Sequence, residues 1–272
     1  MLRFSGAGVS DVGRVRPHNE DSGFVGPYAV VVADGVGGAA AGEIASATAA
    51  YSASAVALGW LGERPELVVA ESYAAAAAGV RMGVQRDLER LGMATTLTML
   101  VTDGRDVALG HVGDSRCYLL RDDALRQRTK DHTYVQHLVD TGRLTREDRA
   151  AHPWRNVVLR SVDGDPAGGG PDVVRLDVAV GDRLLLASDG LTDLVADDVI
   201  ADVLASEEDE DAAVTLTQLA LAAGGRDNIT VVVVDLVDGP PVVGDGRLLG
   251  ALSDPTNVVD PAMVRLPESR SA

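Results

Sequence analysis

Three apolar runs in this sequence end in the same way, on an aspartate: Val30-Val31-Val32-Ala33-Asp34-Gly35, His111-Val112-Gly113-Asp114-Ser115-Arg116 and Leu184-Leu185-Leu186-Ala187-Ser188-Asp189-Gly190. A fourth is reversed, with Asp227-Asn228 opening the run Ile229 to Val234. Short aliphatic runs of this kind read as strands. Six Asp-Gly pairs occur in the chain, and the ordinary reading of most of them is a turn. These four aspartates differ in position: they cap the most apolar strands, where a sheet edge gathers residues distant in sequence. Bare carboxylates gathered there raise one another's pKa and repel unless a cation neutralises them. Oxygen ligands of this type suit Mg²⁺ or Mn²⁺, and a glycine after the aspartate leaves its carbonyl open to approach a metal.

The acid excess extends beyond these positions. The 272 residues carry 24 basic and 41 acidic side chains, a formal charge of −17, and 30 of the acids are Asp. A surface this negative repels nucleic acid and anionic lipid. With 46% hydrophobic residues the chain is not a disordered acidic polymer, and nine aromatics leave a core built from Val, Leu, Ala and Ile. Cys117 is the only cysteine, which excludes an intrachain disulfide and a thiolate zinc site. The stretch from Ile44 to Gly62 has no charge, but its Ser and Thr content and the helical spacing of Ile44, Thr48, Tyr51, Ala55 and Leu58 suit a helix packed on a sheet. No apolar signal segment follows Met1, so the expectation is a cytoplasmic protein with no membrane span. The acid run Glu207 to Asp211 reads as a solvated face.

Strands are predicted at Tyr28 to Ala33, Ala94 to Val101, Asp106 to His111, Arg116 to Leu120, Val173 to Val178, Arg183 to Ala187 and Ile229 to Leu236. Helices are predicted at Gly42 to Leu61, Pro65 to Leu91, His132 to Thr141, Thr192 to Leu204 and Asp211 to Ala223. Strict strand-helix alternation is missing, so the expected fold is α+β, with antiparallel sheet and helices layered outside. One domain over 1–237 is expected. Residues 238–272, which open on Gly239-Pro240-Pro241, read as an irregular extension.

Two local motifs need weighing. Gly35-Val36-Gly37-Gly38-Ala39-Ala40 fits a dinucleotide loop, but Asp34 would oppose the pyrophosphate and no acid for a ribose stands about 20 residues on. Arg14-Val15-Arg16-Pro17-His18-Asn19-Glu20-Asp21 places carboxylates near a guanidinium, whose fork matches a phosphate.

The ordered set Ser10 to Asp21, Ala33 to Gly38, Val112 to Arg116, Ser188 to Asp193 and Arg226 to Thr230 resembles the motifs of the bacterial metal-dependent protein phosphatases of type 2C. That resemblance implies a four-layer αββα sandwich with two central antiparallel sheets. It implies hydrolysis of phosphoserine and phosphothreonine in proteins by a hydroxide held between two Mg²⁺ or Mn²⁺ ions, with a third, weaker metal, and a signalling role. Asp34 would bridge the two metals and the Gly35 carbonyl would bind the first. Glu20, Asp189 and Asp227 would serve the second, Asp21 would hold metal-bound waters, and Asp114 with Asp189 would bind the third. Arg16 would bind the substrate phosphate, Asn228 would orient its neighbours, and 133–155 would be a flap contacting substrate. Expected partners are phosphoproteins, including serine/threonine kinases, for a monomeric enzyme.

The chain departs from the family where some members carry histidines, with Val36 and Ala39 in their place; His18 and His132 are the nearest candidates by motif for the acid that protonates the leaving group. Two alternatives stay open: a catalytically silent phosphoprotein-binding relative, and a phosphatase dedicated to a regulatory protein of the anti-anti-sigma type.

Overall fold

The computed structural model describes residues 1–36, 41–165, 168–244 and 246–263. In chain order the strands and helices are β1 (Leu2–Asp11), β2 (Asp21–Val25), β3 (Ala29–Val36), α1 (Gly42–Gly59), α2 (Pro65–Arg86), β4 (Ala94–Thr95), β5 (Leu97–Thr102), β6 (Val107–Val112), β7 (Arg116–Arg121), β8 (Ala124–Gln127), α3 (Tyr134–Asp140), β9 (Asp172–Leu176), β10 (Arg183–Ala187), α4 (Asp189–Thr192), α5 (Asp197–Ser206), α6 (Asp209–Ala222), β11 (Ile229–Asp238) and β12 (Arg247–Gly250).

Two antiparallel sheets result. One has the order β1-β11-β10-β7-β8, and the other β12-β2-β3-β5-β6-β9 with β4 attached to β3. Period-two alternation explains the unbroken aliphatic runs: Val30, Val32, Leu184, Leu186, Val232 and Val234 fill the space between the sheets. Val31, Ala33 and Met99 point the other way, under Ala49, Ala53 and Val68 of α1 and α2. Leu185, Val231 and Val233 meet Ile200, Leu204 and Leu216 of α5 and α6. Each central strand is therefore apolar on both faces, and the layers run helix, sheet, sheet, helix, as the resemblance implied. Helix α2 has the length and hydropathy of a membrane span, but Val68, Val69, Ala76 and Val80 are buried in this core.

Four strands were not foreseen. Strand β1 carries Gly6 and Gly8 in place of aliphatics, because a Cβ on Gly6 would lie 2.1 Å from the Val233 carbonyl oxygen and one on Gly8 2.6 Å from Leu249. Strand β2, Asp21-Ser22-Gly23-Phe24-Val25, has no aliphatic run, and β8 is half exposed. The fourth corrects the reading of 238–272 as irregular. Strand β12 pairs with β2, Leu249 opposite Gly23, while Ala251, Leu252 and Val258 are buried against α1 and Asp260 pairs with Arg86 at 2.5 Å.

Candidate metal centre

The carboxylates converge because one end of each sheet opens on the same cleft. Antiparallel pairing of β10 with β11 and β7 sets Ala187 beside Val231 and Arg116, so Asp189, Asp227 and Asp114 leave that sheet at the same end. In the second sheet Asp21 is opposite Asp34 in the β2–β3 register. Arg16, Glu20, Asp34, Gly35, Asp114, Asp189 and Asp227 together line a cleft of about 180 Å³, with Val36, Asn156 and Val158 completing its walls. Asp21 lies beneath, fully buried, its Oδ2 accepting a hydrogen bond from Ser188 Oγ at 2.7 Å.

Local chemistry fixes each strand end. Asp34 is inside β3 rather than in a turn. Its N–H donates to Thr96 Oγ1, and its carbonyl accepts from Thr96 N–H and Thr95 Oγ1, each at 2.9 Å. Gly35 is enclosed: a Cβ there would meet the carbonyl oxygens of Gly42 and Glu20 at 2.3 and 2.6 Å. Asn228 ties the arginine loop to β11, since its Nδ2 donates to the carbonyls of Val12 and His18 while its Oδ1 accepts from Glu20 N–H at 2.8 Å. Three bonds thus hold Asn228 between Val12, His18 and Glu20. Arg16 emerges from that loop half-exposed and donates to Asp227 Oδ2 at 2.7 Å.

The electrostatics ask for a cation. Burial pushes the Asp21 carboxyl up to about 6, against the lowering effect of hydrogen bonds from Ser188 and Thr230. Asp114 is pushed up to about 7 by burial and then by Asp131. Asp34 and Asp189 are held well above the carboxylate range, first by burial and then by neighbouring aspartates. Asp21 Oδ1 and Asp189 Oδ1 are buried with no hydrogen-bond partner among the described residues. Hard oxygen donors that are buried, orphaned and mutually repelling fit Mg²⁺ or Mn²⁺. No three of the described Asp, Glu, His or Cys side chains close into a single cage. The donors instead share the lining of the cleft of about 180 Å³.

No described histidine lines the cleft, although His18 stands near Glu20, whose carboxyl is raised by burial and Glu43 and lowered by Arg16 and His18. His132 is largely buried: Gly113 N–H donates to its Nδ1 at 3.1 Å, while its Nε2 lies 3.1 Å from Asp172 Oδ2 and 2.7 Å from Arg160 Nη1. His111 is buried beside it, ring centroids 4.8 Å apart, and burial lowers its pKa to about 4. Of the two positions where family histidines are replaced, Val36 lines the cleft wall and Ala39 lies outside the described residues. Sequence reasoning missed Thr95, Thr96 and Ser188 as positioning groups. The signal available for the threonines was a Thr-Thr pair interrupting an apolar run.

Residues 18–238 match the family described as Protein phosphatase 2C. The serine/threonine protein phosphatase PstP of Mycobacterium tuberculosis is 44% identical over 242 residues, covering 88% of this chain and 46% of that protein. This chain thus spans about half the length of that relative. The serine/threonine phosphatase stp of Listeria monocytogenes is 35% identical over 239 residues, 83% of this chain and 93% of the relative. Among solved structures, the crystal structure of M. tuberculosis PstP/Ppp superposes with a TM-score of 0.83 at 40% identity, covering 87% of this chain and all of that one. The catalytic domain of PstP in complex with two manganese ions gives 0.79 at 40% identity, covering 88% of this chain and 100% of that one.

Proposed function

The chain belongs to the protein phosphatase 2C family, and from that premise we propose that it hydrolyses phosphoserine and phosphothreonine in proteins with two Mg²⁺ or Mn²⁺ ions. The observation that carries this reading is the meeting of Asp34, Asp114, Asp189 and Asp227 with the Arg16 guanidinium on one cleft. Asp34, with the Gly35 carbonyl, is assigned to the first cation and as the bridge to the second; Glu20, Asp189 and Asp227 are assigned to the second. Asp21, underneath, is assigned to metal-bound water, and Asp114 with Asp189 to a third cation. When bound, the ions would supply an activated water and mask the charge of the phosphate.

The remaining work falls to the chain itself. Arg16 holds the non-bridging oxygens through charge-assisted hydrogen bonds, exchanging its bond to Asp227 for the substrate. Ser188, Thr96 and Asn228 keep Asp21, Asp34 and Glu20 in place, so little reorganisation is needed as charge develops. Since no described histidine lines the cleft, we assign the leaving-group proton to water, with His18, beside Glu20, as the alternative. We assign 1–237 to the catalytic unit, completed by β12 and the segment to Asp260 that packs on α1 and pairs with Arg86, with 133–155 as its flap, and read the protein as a cytoplasmic monomer whose partners are phosphoproteins, kinases among them.

The test is phosphate release from p-nitrophenyl phosphate and from phosphoserine and phosphothreonine peptides. Release with Mn²⁺ and none with EDTA is expected. A folded protein that binds a phosphopeptide and never releases phosphate would establish the silent relative instead.

A further inference from the structure

A second cavity, of about 210 Å³, adjoins the cleft and shares Asp114, Asn156 and Asp189 with it. The flap supplies Arg146, Arg149 and Arg155 to its wall. In a chain of charge −17, a group of guanidinium ions beside a phosphate-handling cleft is the exception to the surface pattern. Their commitments differ. Arg116, also in the wall, is held by Asp131, its Nη2 donating at 2.7 Å and its Nε at 3.0 Å, so those two charges cancel. Arg155 is 3.8 Å from Asp193. Arg149 donates to the Gln136 side-chain oxygen at 2.8 Å, and Arg146 is exposed; among the described residues neither has an ion pair with a carboxylate. Two guanidinium ions on a flap that no described carboxylate pairs offer forked hydrogen bonding to an anion, beside Asp114 and Asp189, whose charge the assigned cations would offset.

We propose that Arg146 and Arg149 form an accessory anion subsite. It selects substrate segments carrying a second anionic group, a carboxylate or a further phosphoryl group, within a few residues of the phosphoserine or phosphothreonine being hydrolysed. The inference rests on the phosphatase reading above. The shared wall sets the reach: an extended peptide advances about 3.3 Å per residue, so a group two to four residues from the scissile position spans neighbouring pockets of this size.

The experiment compares three phosphothreonine peptides of one sequence on the full chain with Mn²⁺: neutral flanks, glutamate flanks, and a second phosphothreonine. We expect kcat/KM about tenfold higher for at least one anionic peptide than for the neutral one, the gain of one charge-assisted contact. The glutamate and phosphothreonine arms identify which anion is preferred. The ratio should fall toward one in Arg146→Gln/Arg149→Gln and with rising salt, and Arg146→Glu should turn it against the anionic peptides. If the double variant does not fold, Arg146→Gln alone, at an exposed position, gives the same reading. Equal rates on all three peptides, or a ratio unchanged in the variants, overturn the subsite and leave the phosphatase standing. No release from any peptide overturns the phosphatase reading and the subsite with it.

Discussion

Asp21 and Asp34 are cross-strand partners, two carboxylates set opposite one another where β2 and β3 open on the cleft. Burial raises both carboxyls, and Asp21 raises Asp34 further, so the pair costs the fold stability unless it holds protons or a cation. Asp34→Asn should therefore lower phosphate release about 10²–10³-fold, as when one preorganised charge is lost from a reaction centre. The metal-free variant should melt higher than the metal-free parent. A variant that retains turnover would remove Asp34 from the chemistry.

Metal and pH should act on stability together. Asp21 and Asp114, pushed up to about 6 and about 7, keep protons in the fold that the unfolded chain releases near pH 4. Their contribution to stability is therefore full below about pH 4 and is lost as pH rises through 6 to 7. The metal-free protein should lose stability over that window. Mn²⁺ should raise Tm more at pH 8 than at pH 5, because its ligands must be deprotonated. Equal shifts in thermal melts at the two pH values would contradict this.

Arg16 makes the opposite trade. Its bond to Asp227 is half-exposed, and exposed pairs contribute about 0–1 kcal/mol. Arg16→Ala should leave the denaturation midpoint nearly unchanged while lowering kcat/KM about 10–100-fold, the range for a hydrogen bond to a charged group. A large loss of stability with normal kinetics would make Arg16 a structural residue.

Gly250 tests the role of the C-terminal strand. Its φ is +60°, and a Cβ there would lie 2.2 Å from the Asp21 carbonyl oxygen. Gly250→Ala combines left-handed strain with that clash and should cost at least about 2 kcal/mol in denaturant unfolding. It should also weaken Mn²⁺ binding, because β12 is hydrogen-bonded to the strand that begins at Asp21. Unchanged midpoint and affinity would show that β12 is dispensable.

The parts legible in the sequence were those where one residue type serves one environment. Leu184 to Leu186 and Val231 to Val234 could only be strands covered on both faces, and they are. The strands that were not legible, β1 and β2, gave up side chains for close approach. Gly6 admits β11 and Gly8 admits Leu249 of β12, and β2 substitutes Asp21, Ser22 and Gly23 for aliphatics because its end belongs to the cleft. The region after 238 read as irregular because β12 is four residues long and derives its order from pairing with β2, a long-range term with no local signature.

By itself the sequence determined which carboxylates would stand beside the most apolar runs, because Asp placement next to an apolar run is a local property. The tertiary structure decided what surrounds them. It set Asp21 opposite Asp34, gave Asp21 its bond from Ser188, tied Glu20 to Asn228, and moved His132 out of the cleft into a bond with Gly113. Each of these depends on which strand lies beside which, and that is fixed only when both sheets close on a common core.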